Sequence, residues 1–549
     1  MKKTFHIPLE TIPALLVTLA IVFVTLFLAL QRTDNTYVYP MDDPYIHMAI
    51  ARNLAENGVW GVQKGAFSYS TSSLFYPLLL ALNIRIFGPE EIIPLVLNII
   101  AGIVLLWVLY AILHKTGLNR RETSVFLLVM AFLIPIPVMV FICMEHVVQI
   151  LTAILLVWYA ARFLSEQPEQ LRFSNSWLLY FIAFMAVSVR FEALFIITVI
   201  GLVMLLNRRY LETLLLGFSG FLPLAIMGVI SIQNGYKFLP NPLLIKGRSP
   251  GLSIRAVFIW AYGLISLLKK HPDFVFMLAF LVVFTWVCHT RSRNLKHLTI
   301  TLNLIVFGTI IIHLLLGRIG WYIRYEAYLY ALFLLSSAVF YHTSLKEIWR
   351  GGGPFARSAI VFMAMIVTGS MSIRSYSGIE AGPVASENIY DQAYQVGRFL
   401  AENYDDETVV CHDIGTIGFY SNVKIVDLLG LSDPEAKDRQ KERETSDGIR
   451  KMAVEGNAVI AVCYADWFDL PTEWIKVGEW KIRNRPVTSG EPIISFFALK
   501  EGNVERLAAG LENWTLPAGC KSTVVSRQFY RNTTSEDEFA REKPSMSTR

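Results

Sequence analysis

Charge is scarce in this chain. Asp, Glu, Lys and Arg make up 17% of its 549 residues, against roughly a quarter in a soluble protein. Cysteine is scarcer still: five residues, with no CxxC pair and no Cys/His zinc spacing, so neither a disulfide-built fold nor a structural zinc site is indicated. Cys143 and Cys288 fall in apolar runs, and Cys411, Cys463 and Cys520 allow at most one disulfide with one thiol left over. No glycine-rich nucleotide fingerprint occurs; "HDIGTIG" (412–418) has two glycines at the wrong spacing. A sugar-nucleotide or ATP enzyme is thereby disfavoured, no nucleic-acid partner is expected, and no solenoid-type repeat is visible.

Apolar residues make up 54% of the chain and the mean hydropathy is +0.46. Runs of about 18 or more apolar residues, enough to span about 30 Å of hydrocarbon, recur over the first two thirds. The chain reads as a polytopic membrane protein. Lys2 and Lys3 precede an apolar run at 11–30 that ends in "LALQRTDN", a poor cleavage site, which reads as an uncleaved signal anchor with its N-terminus inside. Basic clusters at 119–122, 207–210, 291–297 and 344–358 belong on the cytoplasmic side.

Strong spans read at 92–113, 124–143, 147–164, 211–231, 273–289, 298–316, 325–342 and 357–374, and 176–207 splits in two at "RFE" (190–192). The short stretches 74–88 and 255–268 are taken as in-plane or re-entrant. About eleven crossings result, with the C-terminus outside. Asp42, Asp43, Glu145, Arg190, Glu192, Asn241, Lys246, Arg318, Arg324 and Glu326 then share the outer face. One such charge is an ordinary helix-end residue; the set points to a polar cavity, because charge at bilayer depth is costly.

Residues 1–374 are expected to form the transmembrane domain, with a first outer loop at 31–91. From 375 to 530 the composition turns polar, with a helical "YDQAYQVGRFLAENY" (390–404) and strand-like "ETVVC" (407–411), "NAVIAVCY" (457–464) and "ISFFAL" (494–499), which indicates an extracytoplasmic α/β domain. The last stretch, 531–549, reads as a disordered tail.

In "MDDPYIHMAIARNLAENG" (41–58), Pro44 suits the first helical position and makes Asp43 the natural N-cap. Ile46, Ile50 and Leu54 share one face, Arg52 and Glu56 lie opposite, and Gly58 is the stop. Nothing local requires Asp42. A carboxylate there could serve as a general base, a metal ligand or a coupling-ion site. Arg324 and Lys246, predicted at the same interface, favour the first by offering a phosphate clamp. The rival reading is a secondary transporter or lipid flippase that uses the acidic loop as an ion site. No inverted repeat supports it.

"DDPYIHMAIARNLAENG" followed by "YSTSSLFYPLLLAL" (69–82) resembles the first outer loop of the GT-C superfamily of membrane glycosyltransferases, which includes protein O-mannosyltransferases, the aminoarabinose transferases of lipid A and mycobacterial arabinofuranosyltransferases. "CMEHVVQ" (143–149) is similar to a Gly-Met-Glu segment there, with Cys143 in place of the glycine. "VRFEALF" (189–195) resembles an Arg-Pro-Glu-Gly segment, with Phe191 and Ala193 as departures. "NGYKFLPNPLLIKG" (234–247), "IRYEAYLY" (323–330) and "HDIGTIGFYSNVKIVDLLGLSDPE" (412–435) continue the series in order.

The resemblance implies an α-helical polytopic fold with a C-terminal extracytoplasmic α/β domain, in a bacterial plasma membrane. It implies inverting transfer of a sugar from a polyprenyl-phosphate donor to a hydroxyl on a glycan, lipid or protein. Asp42 would be the catalytic base and Asp43 its neighbour that caps the helix or orients the acceptor. Arg324 and Lys246 would hold the donor phosphate, and Glu145, Arg190, Glu192, Asn241 and Tyr325 would support the cavity. Some members use a divalent cation at the acidic loop; the residues near Asp42 offer too few further ligands to predict a metal here.

Overall fold

The computed structural model describes residues 8–165, 173–246, 254–291, 296–342 and 353–524. The tail at 531–549 lies outside them. Helices α1 (Ile12–Arg32), α2 (Asp43–Asn57), α3 (Phe75–Phe87), α4 (Ile93–Lys115), α5 (Arg120–Leu133), α6 (Ile136–Phe141), α7 (His146–Ser165), α8 (Phe173–Val189), α9 (Ala193–Leu206) and α10 (Tyr210–Gln233) follow one another with short connections. Then come α11 (Asn241–Lys246), α12 (Ile254–Lys270), α13 (Pro272–Arg291), α14 (Lys296–Leu316), α15 (Ala327–Phe340) and α16 (Pro354–Ile389).

Six described helices are long and apolar enough to cross a membrane, and five shorter ones are apolar. Their outward faces expose Phe23, Phe27, Ile100, Trp107, Leu214, Phe218 and Trp286. A soluble protein rarely tolerates so much contiguous apolar surface; hydrocarbon does. The chain is a membrane protein. α15 differs from the rest: it is buried on every side, consistent with a helix inside the bundle.

Two expectations change in detail. The run 124–143 is two helices, α5 and α6, because Pro135 and Pro137 remove amide donors and break the ladder. The long α16 passes through residue 375 without interruption and continues, through a π-helical turn at Tyr390–Tyr394, into α17 (Gln395–Asn403). The composition shift at 375 therefore marks no break in the backbone; one rod joins the bundle to the α/β unit. The interruption expected at "RFE" is present between α8 and α9.

The α/β unit is a six-stranded mixed sheet in the order β2-β1-β3-β5-β4-β6, built from β1 (Thr408–Cys411), β2 (Lys424–Asp427), β3 (Ile460–Cys463), β4 (Ile475–Lys481), β5 (Ile493–Ala498) and β6 (Lys521–Val524). β1 pairs in parallel with β2 and β3; the remaining ladders are antiparallel. β1, β3 and β5 match the expected apolar runs. Helices α18 (Gly415–Tyr420), α19 (Ser446–Glu455) and α20 (Val504–Asn513) complete the unit. The described cysteines Cys143, Cys411, Cys463 and Cys520 are free thiols.

The first loop clamps this unit onto the bundle. The Gln63 amide bonds both backbone groups of Ile425, at 3.0 and 3.2 Å, and so covers the open edge of β2. Arg52 Nη1 donates to the Phe419 carbonyl at 2.5 Å. Asn241 Nδ2 donates to the carbonyls of Leu431 and Asp433 at 3.0 and 2.8 Å.

Candidate active site

Pro44 sits one position later in its helix than the sequence suggested. Asp43 is the first helical residue and Asp42 holds the N-cap position, its carbonyl accepting from the amides of Tyr45 and Ile46 at 2.9 and 3.3 Å. Asp42 does not cap this helix with its side chain. The carboxylate instead caps α18 across the domain junction: Oδ2 accepts from the Gly415 amide at 2.8 Å, and Oδ1 from the Thr416 amide and hydroxyl at 2.7 and 2.5 Å. The glycines of "HDIGTIG" now have a packing reason. A Cβ on Gly415 would lie 2.3 Å from the Asp42 carbonyl, and one on Gly418 would lie 2.5 Å from Val62 Cγ1. At the other end, Gly58 takes the left-handed conformation expected of a stop, with φ 70°.

Asp43 turns toward the bundle and accepts from Arg324 Nη2 at 2.8 Å. The same guanidinium donates to the Tyr325 hydroxyl at 3.1 Å and lies against Met144 Sδ at 2.9 Å. Arg190 forms a two-bond fork with Glu192, at 2.9 and 2.5 Å, and reaches Glu145 Oε1 at 2.6 Å. His47 Nε2 closes the network on Glu145 Oε2 at 3.1 Å. Two guanidinium groups lie near the Tyr325 ring, Arg324 at 5.0 Å and Arg190 at 5.7 Å from its centroid. Opposite charges this well paired can remain ionised while buried. Cys143, standing where the resembling segment has glycine, has φ 58°, a conformation glycine adopts at no steric cost.

Two cavities meet here. The first, about 240 Å³, is lined by Arg190, Arg318, Arg324, Glu192, Tyr325 and Asp43 together with apolar groups such as Phe195, Leu243 and Leu316. The second, about 520 Å³, lies against the α/β unit and is lined by Asp42, Asp43, His412, Asp413, Tyr464 and Trp467. Asp43, Ile46, Arg318, Tyr325 and Leu431 line both.

Of the residues expected at the site, Asp42, Asp43, Glu145, Arg190, Glu192, Arg324 and Tyr325 come together. Asn241 is occupied in holding the 430–433 loop. Lys246 closes α11, and its side chain lies outside the described residues. Sequence reasoning left out His47, His412, Asp413, Tyr464 and Trp467. Asp413 was within reach, since it belongs to a segment already quoted for its resemblance. Among the described residues no His, Cys, Asp and Glu group is arranged to hold a metal ion.

The electrostatics single out two carboxyls. Asp42 is pushed up to about 7, first by burial and then by the neighbouring Asp413, against the bonds from Thr416 and Gly415. Asp413 is pushed up to about 7 by burial and by the charges of Asp43 and Asp427. His412, buried beside them, is pushed down to about 4, so it carries no compensating charge near neutrality.

ArnT from Cupriavidus metallidurans, in a crystal structure bound to undecaprenyl phosphate, superposes with a TM-score of 0.52 at 13% identity, over 89% of this chain and 98% of that one. The chain has a GT-C-like fold. An oligosaccharyltransferase from Archaeoglobus fulgidus, in complex with Zn and sulfate, is 11% identical over 88% of this chain and 73% of its own, with a TM-score of 0.46. A family model described as a domain of unknown function, DUF8728, matches residues 387–497. That segment supplies His412, Asp413, Tyr464 and Trp467 to the second cavity. No curated protein matches the sequence.

Proposed function

We propose that this chain is an inverting glycosyltransferase that moves a sugar from a polyprenyl-phosphate donor to a hydroxyl acceptor on the outer face of the membrane. The observation that carries the reading is the pair of joined cavities, one with arginines among apolar groups and the other with carboxylates. The crystal structure of ArnT with undecaprenyl phosphate supports the donor class.

In this reading the donor phosphate lies against Arg324 in the first cavity, with Lys246 as a further cation and its lipid on the apolar wall. Asp43 holds Arg324 in place. The acceptor hydroxyl comes from the second cavity and attacks the anomeric carbon while its proton passes to Asp42. The bond from that carbon to the phosphate oxygen breaks in the same displacement, which inverts the configuration. Polyprenyl phosphate leaves with the electron pair, its growing charge met by the guanidinium. Asp42 suits a base: three donors fix its orientation, and a carboxyl near 7 accepts a proton far more readily than one near 4. Glu145, Arg190 and Glu192 keep the cavity in shape.

Purified protein in nanodiscs, given polyprenyl-phosphate-linked sugars and a hydroxyl acceptor, is expected to release polyprenyl phosphate, and Asp42→Asn to stop the release. Movement of intact donor between leaflets with no release would indicate the flippase reading instead.

A further inference from the structure

The larger cavity contains groups that the donor chemistry leaves unused. On the side of the α/β unit its wall is aromatic. The His412 ring lies 4.1 Å from that of Tyr464, which meets Trp467 edge-on at 4.9 Å. Gly490 lets these rings lie where they do: a Cβ there would stand 2.3 Å from Trp467 Cζ2 and 2.9 Å from Tyr464 Cε2. The rings are also tethered. The Tyr464 hydroxyl donates to Gln392 Oε1 at 2.5 Å, and Trp467 Nε1 donates to Glu491 Oε1 at 3.2 Å.

A second indole arrives from the bundle. Trp321 sits in the α14–α15 connection within a run of left-handed residues, with φ 92° at Gly320, 45° at Trp321, 60° at Tyr322 and 56° at Ile323. Three residues with side chains in that region are costly, and such strain concentrates where a loop has a task. The loop is anchored by the Tyr322 hydroxyl on the Gly378 carbonyl at 2.8 Å and by the Gly320 amide on Glu326 at 2.9 Å. Trp321 and Trp467 both line the cavity while 50% and 45% exposed, so a ligand can reach them.

The charges narrow the occupant. Asp42, Asp43 and Asp413 line this space against one arginine, Arg318. Above about pH 7, where Asp42 and Asp413 are both ionised, an anionic group entering it meets net negative charge at low dielectric. Aromatic faces pack against the C–H faces of a sugar ring, and carboxylates accept from its hydroxyls. From this arrangement we infer that the cavity binds the acceptor, and that the acceptor is a carbohydrate ring free of carboxylate, sulfate and phosphate groups, packed on Trp467 and Trp321 with a hydroxyl on Asp413. The inference rests on the transferase reading and names the acceptor class that reading leaves open.

The test uses full-length protein in nanodiscs of zwitterionic lipid, with no donor present. Saturation-transfer NMR is run with a neutral oligosaccharide, its amino and uronic-acid counterparts, and a serine-rich peptide. Saturation is expected on the neutral and amino sugars and absent from the uronic acid and the peptide. Trp467→Ala should weaken it about tenfold, the loss expected of a binding anchor, with Trp467→Phe recovering most of it. Trp321→Ala, at an exposed position in the other part of the molecule, should weaken it in the same direction. A preference for the uronic acid or the peptide overturns the inference. So do the absence of signal from every sugar and equal signals in all variants. Because donor is absent, such a failure beside intact release of polyprenyl phosphate removes the acceptor class alone. Sugar binding without release in the donor assay removes the transferase reading instead.

Discussion

The Asp42 carboxylate accepts both the backbone amide and the hydroxyl of Thr416, 374 positions along the chain, at 2.7 and 2.5 Å. One acidic side chain thus helps to join the first loop to the α/β unit, and both supply walls of the second cavity. A candidate base that is also a latch makes the site sensitive to docking, and several outcomes follow from that.

Gly415→Ala places a methyl group 2.6 Å from Asp42 Oδ2. The latch must shift, so turnover should fall by about a hundredfold, the cost of a roughly 1 Å misplacement. Under the proposed function, polyprenyl phosphate binding, measured by titration, should be retained because Arg324 is untouched. Loss of both together would show that the latch holds more than the acceptor side.

Turnover should rise as the pH climbs through about 7, where Asp42 gives up its proton. Asp413→Asn removes the neighbouring like charge and should move this acid limb down by roughly one pH unit. A limb that stays in place would remove Asp413 from the electrostatics of the base.

Stability should follow the opposite sign. Asp42 and Asp413 both stand above the ordinary carboxyl value of 3.8 in the folded protein. The stabilisation from their protonated forms is therefore complete below about 4 and is lost as the pH rises through about 7. Asp413→Asn should raise the thermal midpoint at pH 8 and leave it nearly unchanged at pH 4, as differential scanning fluorimetry would register.

Arg190→Met leaves the buried Glu145 and the half-buried Glu192 without their shared cation, whose bonds to them are 2.6 and 2.5 Å. A loss of about 3–5 kcal/mol is expected. Adding Glu145→Gln and Glu192→Gln should recover much of it, measured by unfolding in detergent. No recovery would mean that the methionine fails on shape alone.

Under the proposed function, Arg324→Lys should weaken polyprenyl phosphate binding about tenfold or more. A lysine is a point charge on a flexible stem and cannot hold Asp43, Tyr325 and a phosphate with one planar group. Equal affinity in a binding titration would remove Arg324 from the phosphate site.

Much of the bundle was legible in the sequence. The break at "RFE", the stop at Gly58, and the strands at 408–411, 460–463 and 493–498 stand where pattern put them. β2 and β4 were missed because "KIVD" and "IKVGEWK" mix charge into short runs, and their pairing partners rather than their own residues make them strands. The bend at Pro135 was visible in composition but was outweighed by the length of the apolar run.

The two aspartates show where local reasoning stops. Pro44 made Asp43 the expected cap and left Asp42 without a structural role. In the fold Asp43 pairs with Arg324, and Asp42 caps a helix in another part of the molecule. Crossing a bilayer depends on the summed transfer of neighbouring side chains, which a stretch of sequence carries within itself. The direction of Asp42's oxygens depends on a bare glycine 373 positions away, on the continuous rod from α16 into α17, and on a loop clamped by Gln63. Those are packing relations between distant segments, and no short stretch of the chain contains them.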